Sequence, residues 1–279
     1  MGMSLNSPTV RLVQSGRMAR NLLLVRAGAG LPQVLQNLPS SANLCVVLSC
    51  YQPPTFPIHP DWWVLEGGLS KFHAAKLILT ACPELLAAEQ FAFLDPDVEI
   101  STETVSALFA RASAEQRALY QAALTPDSFT AYGFLKTRKR SPAWHETSFV
   151  EVMAPFMDRQ TLLAVLDGFD ACLSTWGLEY HWMSVCRGRS TGVYNDLLMR
   201  HADPVDHADG PFYRYMRSLG VDPKREMCAH RRRYTHWTYM ECRVPFNLQG
   251  WLKPLAVACR GLLKRLLKRR SADPCRCVP

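Results

Sequence analysis

The decapeptide Phe91–Ile100, FAFLDPDVEI, decides how the rest of the chain is read. An apolar run, FAFL, ends in two carboxylates, Asp95 and Asp97, with only Pro96 between them. Ser101 and Thr102 then offer an N-cap to TETVSALFARA, whose Glu103 supplies the charge favoured in a first helical turn. The pattern puts Asp95 and Asp97 at the carboxyl end of a strand, just before a helix. In open α/β sheets that edge is where ligands bind.

Working outward, Asn21–Ala27 (NLLLVRA) and Asn43–Tyr51 (NLCVVLSCY) are apolar runs bounded by Gly, Pro, Ser and Asn. They read as strands buried on both faces, as in a parallel sheet. In GGLSKFHAAKLILTACPELL the side chains of Phe72, Ala75, Leu77, Ile78 and Leu79, with Pro83 as a stop, predict a helix over residues 70–82. Downstream, Ala118–Leu124 and SFVEVMAPF read as strands. DRQTLLAVLDGFDACLSTW reads as a helix capped by Asp158, and GVYNDLLMRH as a last strand. The polar stretch Thr125–Thr147 carries Lys136, Arg138, Lys139 and Arg140 beside Tyr132 and Trp144. At more than 20 residues it is long for a plain connection, so it is a mobile lid or an insertion. Residues 1–20 are polar and unpatterned and read as a flexible leader. The alternation of strands and helices predicts an α/β fold, a mostly parallel open sheet flanked by helices.

Bulk composition excludes several classes. A chain of 279 residues buries roughly three quarters of the surface its unfolded form exposes. With 48% hydrophobic and 20% charged residues it has the balance of a soluble globular protein, and no apolar run approaches the roughly 18 residues of a membrane span. No secretory signal is visible, and Leu22–Val25 is too short for a signal core. The ten cysteines are dispersed, mostly in apolar segments, and no CxxC pair occurs. That favours reduced thiols in a cytoplasmic protein over a disulfide scaffold or a structural zinc site. Trp251–Arg270 holds seven Lys or Arg and no acid, so removing it takes the net charge from +8 to +1. A nearly neutral body weakens a nucleic-acid reading of the domain.

The chemistry of the motifs is as follows. Asp95 and Asp97, projecting from one turn, can hold a divalent cation such as Mn or Mg that also grips a nucleotide's phosphates, because these ions favour oxygen ligands. Asp-Pro-Asp is also a good turn, and that alternative stays open here. In STWGLEYHW, Gly177 lets the chain turn at the end of a long helix and presents Glu179 from a constrained position, where it can act as a general base toward a hydroxyl. The competing reading is a solvated helix-end carboxylate. Glu151 lies inside the apolar SFVEVMAPF, where a carboxylate needs a partner or a function. His201 closes an apolar stretch and is a third metal ligand or a core histidine. Arg26, Lys71 and Arg138 are candidate phosphate contacts beside Asp95, and Trp62 and Trp63 are candidate stacking rings, with a structural or surface role as the competing reading of each. RAGAGLP lacks the third glycine of a dinucleotide fingerprint, and neither a G-x-S-x-G elbow nor a P-loop is present.

Four segments in order, LDPDVEI, TSFVEVMAPF, STWGLEYHW and GVYNDLLMRH, resemble the signature blocks of a group of plant and bacterial proteins catalogued as domain-of-unknown-function family 707. That family is similar to GT-A glycosyltransferases. The resemblance covers residues 21–206. It implies a GT-A-like catalytic domain, taken here as residues 21–250, that transfers a sugar from a nucleotide-diphosphate donor to a glycan or glycolipid hydroxyl. Carried over by position, it implies Asp95, Asp97 and His201 around a metal, and Glu151 and Glu179 as catalytic acids. Where the family has an acid between the two aspartates, this chain has Pro96. Where the family has an Asp on the last strand, Asn195 and Asp196 share the neighbourhood.

The tail, residues 251–279, contains WLKPLAVACRGLLKRLLKRR. Leu252, Leu255, Cys259, Leu262, Leu263 and Leu266 fall at helical spacing, with Lys and Arg largely on the other faces, the pattern of a C-terminal amphipathic basic helix. Such helices lie on anionic membrane surfaces, and here that would place the protein peripherally on the inner, cytoplasmic face. The competing reading is packing of the leucines on the domain. The rival to an enzyme is a non-catalytic peripheral membrane or nucleic-acid-binding protein on a degenerate transferase fold, supported by the basic tail and by RRRYTH at Arg231–His236.

Overall fold

A computed structural model describes residues 9–28, 30–36, 42–55, 57, 59–137, 141–204 and 210–234. The chain divides into two units, Met1–Cys242 and Arg243–Pro279, and the described residues belong to the first. Arg138 and the tail lie outside them. In chain order they form β1 (Val10–Gln14), β2 (Asn21–Ala27), β3 (Leu44–Cys50), β4 (Trp62–Glu66), α1 (Lys71–Ala81), β5 (Gln90–Leu94), β6 (Val98–Glu99), α2 (Thr102–Ala114), β7 (Leu119–Leu124), β8 (Trp144–Glu146), β9 (Phe156–Asp158), α3 (Arg159–Val165), α4 (Leu178–Val185), β10 (Thr191–His201), α5 (Pro211–Ser218) and α6 (Pro223–Tyr234).

The apolar strands have no solvated side. Leu22 and Leu24 of β2 and Phe91 and Phe93 of β5 point to one core, which α1 covers with Phe72, Ala75, Ile78 and Leu79. Their neighbours Leu23, Val25, Ala92 and Leu94 point to a second core, which α2 covers with Val105, Leu108, Phe109 and Ala112. A strand with a hydrophobic residue at every position needs helices on both faces, and that requirement makes three layers. Each large side chain fully removed from water contributes about 1.5–3 kcal/mol. Ser70 caps α1 by accepting from His73 N at 3.5 Å, and Ser101 caps α2 by accepting from Thr104 N at 3.1 Å.

The sheet has ten strands among the described residues, in the order β1-β4-β3-β2-β5-β9-β7-β10-β6, with β8 also on β10. Strands β4, β3, β2 and β5 are parallel neighbours, and β7 and β10 share their direction across the short antiparallel β9. From β2 the chain steps through β3 to β4 on one side and then places β5 on the other. The strand order therefore reverses between β2 and β5, and a crevice outside the carboxyl ends of strands at such a switch is the place for a ligand. Val25 in register with Leu94 is the last pair between the two strands, and Asp95 follows directly.

Several elements differ from expectation. SFVEVMAPF is not a strand until its last residue. Residues 148–155 carry no strand assignment; Met153 and Pro155 continue the β5–β9 register toward Asp95, and Glu151 takes a side-chain partner. Glu151 N donates to the buried Gln121 side chain at 2.8 Å, while the Met153 and Pro155 carbonyls accept from Asp95 N at 2.9 Å and Phe93 N at 3.1 Å. The helix capped by Asp158 ends at Val165 and tightens into a 3-10 turn, so Glu179 opens a new helix, α4, instead of closing a long one. Val10–Gln14, within the stretch read as a leader, pairs antiparallel with β4. The long Thr125–Thr147 stretch buries Leu135 and Ser128 and contributes β8, which is the insertion reading for its described part.

Candidate active site

Three segments that are distant in sequence meet at the end of β5. Antiparallel pairing of His201 with Val98 brings the last residue of β10 beside Asp97. The segment 148–155 is tied to β5 as described above, which puts Glu151 near Asp95. The third segment is the turn into α4. Gly177 there has φ +106°, a left-handed conformation that favours glycine, and a Cβ would stand 2.9 Å from His230 Cβ. Glu226 of α6 holds the same turn, accepting from Leu173 N at 3.1 Å and Ser174 N at 2.8 Å.

The two aspartates are each paired with a cation. Lys71 Nζ, at the first residue of α1, is 2.8 Å from Asp95 Oδ1 and also donates to the carbonyls of Val152 at 2.6 Å and Met153 at 3.1 Å. These partners use its three protons, so Lys71 locks that segment to Asp95 instead of reaching outward as a phosphate contact. Burial lowers the Lys71 ammonium, while Asp95, Asp97 and Glu151 oppose that. His201 Nε2 is 3.0 Å from Asp97 Oδ2, and Nδ1 is 2.9 Å from the Phe129 carbonyl. Burial disfavours the imidazolium, but Asp97 outweighs it and His201 is pushed up to about 9. Burial likewise works against the Asp97 carboxylate, and His201 holds it below the ordinary carboxylate range.

The two glutamates are different. Glu151 and Glu179 are 7% and 5% exposed, against 33% and 24% for the side chains of Asp95 and Asp97. Burial, and then the charge of Glu179, push Glu151 up to about 8, against a hydrogen bond from Thr130 Oγ1 at 3.1 Å. Burial pushes Glu179 up to about 7, although the backbone N–H groups of Glu179, Gly177 and Val152 favour its charge. Its Oε2 accepts from Gly177 N at 3.0 Å. Two buried carboxylates that feel each other resist ionising together, and a base poised near neutrality is the result.

The donor set was compared with what a divalent ion needs. Among the described residues no three His, Cys, Asp or Glu side chains converge as a complete ligand set. Mg and Mn in phosphate-transfer sites, however, use one or two protein ligands and take the rest from substrate and water. The Asp97–His201 separation of 3.0 Å is that of a hydrogen-bonded ion pair, with the His201 Nε2 proton between the two atoms. An ion would take both as ligands only by displacing that proton. Asp95 adds a half-exposed carboxylate already partnered by Lys71.

Other candidates lie elsewhere. Arg26 pairs with the buried Glu66 at 2.9 Å, donates to the Gly68 carbonyl and stacks on Tyr51, at the ends of β2–β4. Trp62 is in the core, and Trp63 packs against Ala27, Leu48 and Cys50. Asn195 is buried against the Pro142 carbonyl and His145, and Asp196 pairs with Arg111 at 2.7 Å, both outside this cluster. Sequence reading missed Thr130, Phe129 and Gln121, which position Glu151 and His201. No local pattern marks them, because each acts through a partner at least 21 residues away.

No protein-family model matches the chain, and no curated protein matches it. Among solved structures, TarS 1–349 of S. aureus in complex with UDP-GlcNAc is 12% identical, with 84% of this chain and 78% of that chain covered and a TM-score of 0.42. A second crystal structure of S. aureus TarS 1–349 is 11% identical, with 87% and 79% covered and a TM-score of 0.41.

Proposed function

We propose that the protein is a metal-dependent glycosyltransferase of GT-A type, moving a sugar from a nucleotide-diphosphate donor to a hydroxyl of a glycan or glycolipid. The observation that carries this is the division of four acids at a switch point. Asp95 and Asp97 are partly exposed at the end of β5, while Glu151 and Glu179 are buried behind them with raised affinity for a proton. Membership of domain-of-unknown-function family 707 goes with the proposal. The four sequence blocks that suggest it contribute these acids and His201.

In this reading Asp97 and His201 would hold Mn or Mg, with Asp95 beside them. When bound, the ion supplies positive charge to the departing diphosphate. Glu179 accepts the proton of the acceptor hydroxyl as its oxygen bonds to the anomeric carbon. The bond from that carbon to the phosphate oxygen breaks, and its electron pair leaves with the nucleoside diphosphate. Glu151, protonated at neutral pH, keeps a second negative charge out of the pocket. Lys71 holds Asp95 and the segment carrying Glu151 in one register.

The test is the melting temperature against nucleoside diphosphates, with and without Mn or Mg, for the wild type and Asp97→Asn. At a hundred times Kd the expected rise is roughly 5–10 °C, dependent on metal and absent in the variant. No rise with any nucleotide in a folded sample would sink the donor assignment.

A second reading, a non-catalytic membrane or nucleic-acid binder, is favoured by one observation: Arg231, Arg232 and Arg233 are exposed on α6 beside Tyr234. Loss of function on reversing these charges, with Asp97→Asn silent, would select it. Peripheral attachment to the cytoplasmic face of an anionic membrane through residues 251–270 is compatible with either reading. No helix among the described residues is long and apolar enough to cross a membrane.

A further inference from the structure

Beside the buried acids stand aromatic rings that the transfer chemistry leaves unused. Trp176 is three residues before Glu179, and Glu179 accepts from the intervening Gly177 N–H, so ring and acid leave the same turn. The Trp176 indole N–H donates to the Tyr213 hydroxyl at 2.7 Å, and the rings meet edge to face with centroids 5.3 Å apart. That pairing fixes Tyr213 of α5 next to the turn. Neither ring belongs to a hydrophobic core, and both are half-buried.

A third ring is held on the side of Glu151. Thr130 Oγ1 donates to Glu151 and accepts from Tyr132 N at 2.9 Å, so Tyr132 is one link from that carboxylate. Its ring rests on Phe149, with centroids 4.3 Å apart. Tyr132 also packs against the second core, and burial first, then the charges of Glu179 and Glu151, push its phenol up.

We propose that Trp176, Tyr213 and Tyr132 form the acceptor subsite and that the acceptor is a carbohydrate, its pyranose ring against the Trp176–Tyr213 pair with one hydroxyl at Glu179. This rests on the transfer reading for the role of Glu179. A pyranose has an apolar C–H face and a rim of hydroxyls. Rings with polar tips beside carboxylates match both. A phosphate-bearing acceptor would meet two acids at this place, and a plain hydrocarbon would leave the phenol hydroxyls without a use.

The experiment is saturation-transfer NMR on the full chain with a panel of methyl α- and β-pyranosides, comparing wild type with Tyr213→Leu and Trp176→Leu. Melting temperatures confirm folding, and the nucleotide-dependent shift is measured on the same samples. The expected result is binding of at least one pyranoside, weakened by roughly three- to tenfold in each folded variant, with the nucleotide shift unchanged. If Trp176→Leu fails to fold, Tyr213→Leu alone decides. Pyranoside binding that neither folded variant weakens, or no binding across the panel, overturns the subsite. Weakened pyranoside binding in a protein that shows no nucleotide shift keeps the subsite and removes the donor reading instead.

Discussion

Glu151 and Glu179 are the carboxylates that burial brings close to neutrality. Both fold with a raised affinity for protons, against an ordinary carboxyl value of 4.5. A group whose folded value is raised contributes stability that is fully present below the unfolded value and is lost as pH rises through the folded one. For Glu151 that window runs from 4.5 to about 8. Glu151→Gln, which stays neutral, is therefore expected to melt close to wild type at pH 4.5 and above it at pH 9, by about 2–4 °C for each kcal/mol recovered. A variant that is less stable than wild type at pH 9 would count against a protonated Glu151. Glu151 was noticed in the sequence because a carboxylate inside an apolar run demands an explanation. The Thr130 and Gln121 contacts that seat it were not legible, since they come from other strands and loops.

At the scale of elements, the turn into α4 carries the catalytic proposal, and its geometry depends on α6. Glu226 accepts two N–H groups of the turn, and Met227 and His230 press against Gly177. Gly177→Ala would add a Cβ 2.9 Å from His230 Cβ and 3.1 Å from Met227 Cα, at a φ of +106° that side chains resist. The strain of such a position is of order 1–3 kcal/mol. The expected outcome is a melting temperature lower by about 5 °C, read by circular dichroism. An unchanged melting curve would mean that the turn is loose and that Glu179 is not held. The glycine and the acid were legible as a pair from WGLE. The length of the preceding helix was not, because the Asp167-Gly168 step where it tightens into a 3-10 turn lies inside a run of helical spacing that masks it. The strand assigned to SFVEVMAPF failed for a related reason. Apolar character reports burial, and here burial is achieved by an irregular segment whose backbone partners are Lys71, Gln121 and the end of β5.

For the whole molecule, charge is concentrated in residues 251–270, which hold seven Lys or Arg and no acid in a chain of net charge +8. Each Lys or Arg near an anionic surface is worth about 1 kcal/mol. Deleting residues 251–279 is therefore expected to abolish co-sedimentation with phosphatidylserine vesicles and to leave the melting temperature of the remaining unit unchanged. Vesicle binding that survives the deletion would move attention to the arginines of α6. The sequence by itself determined the class of fold: runs that are apolar at every position need cover on both faces, and Asp95 and Asp97 must follow one of them. It also marked Glu151 as unusual, because a carboxylate inside an apolar run sits where local chemistry does not provide for a charge, whereas Glu179 stayed open between a general base and a solvated helix-end acid. Only the tertiary structure decided which of these meet. The pairing of His201 with Val98, the placement of Lys71 under Asp95 and the approach of Trp176 to Tyr213 join segments far apart in the chain. Such contacts are set by strand order and by packing across the sheet edge, and local periodicity carries no record of either.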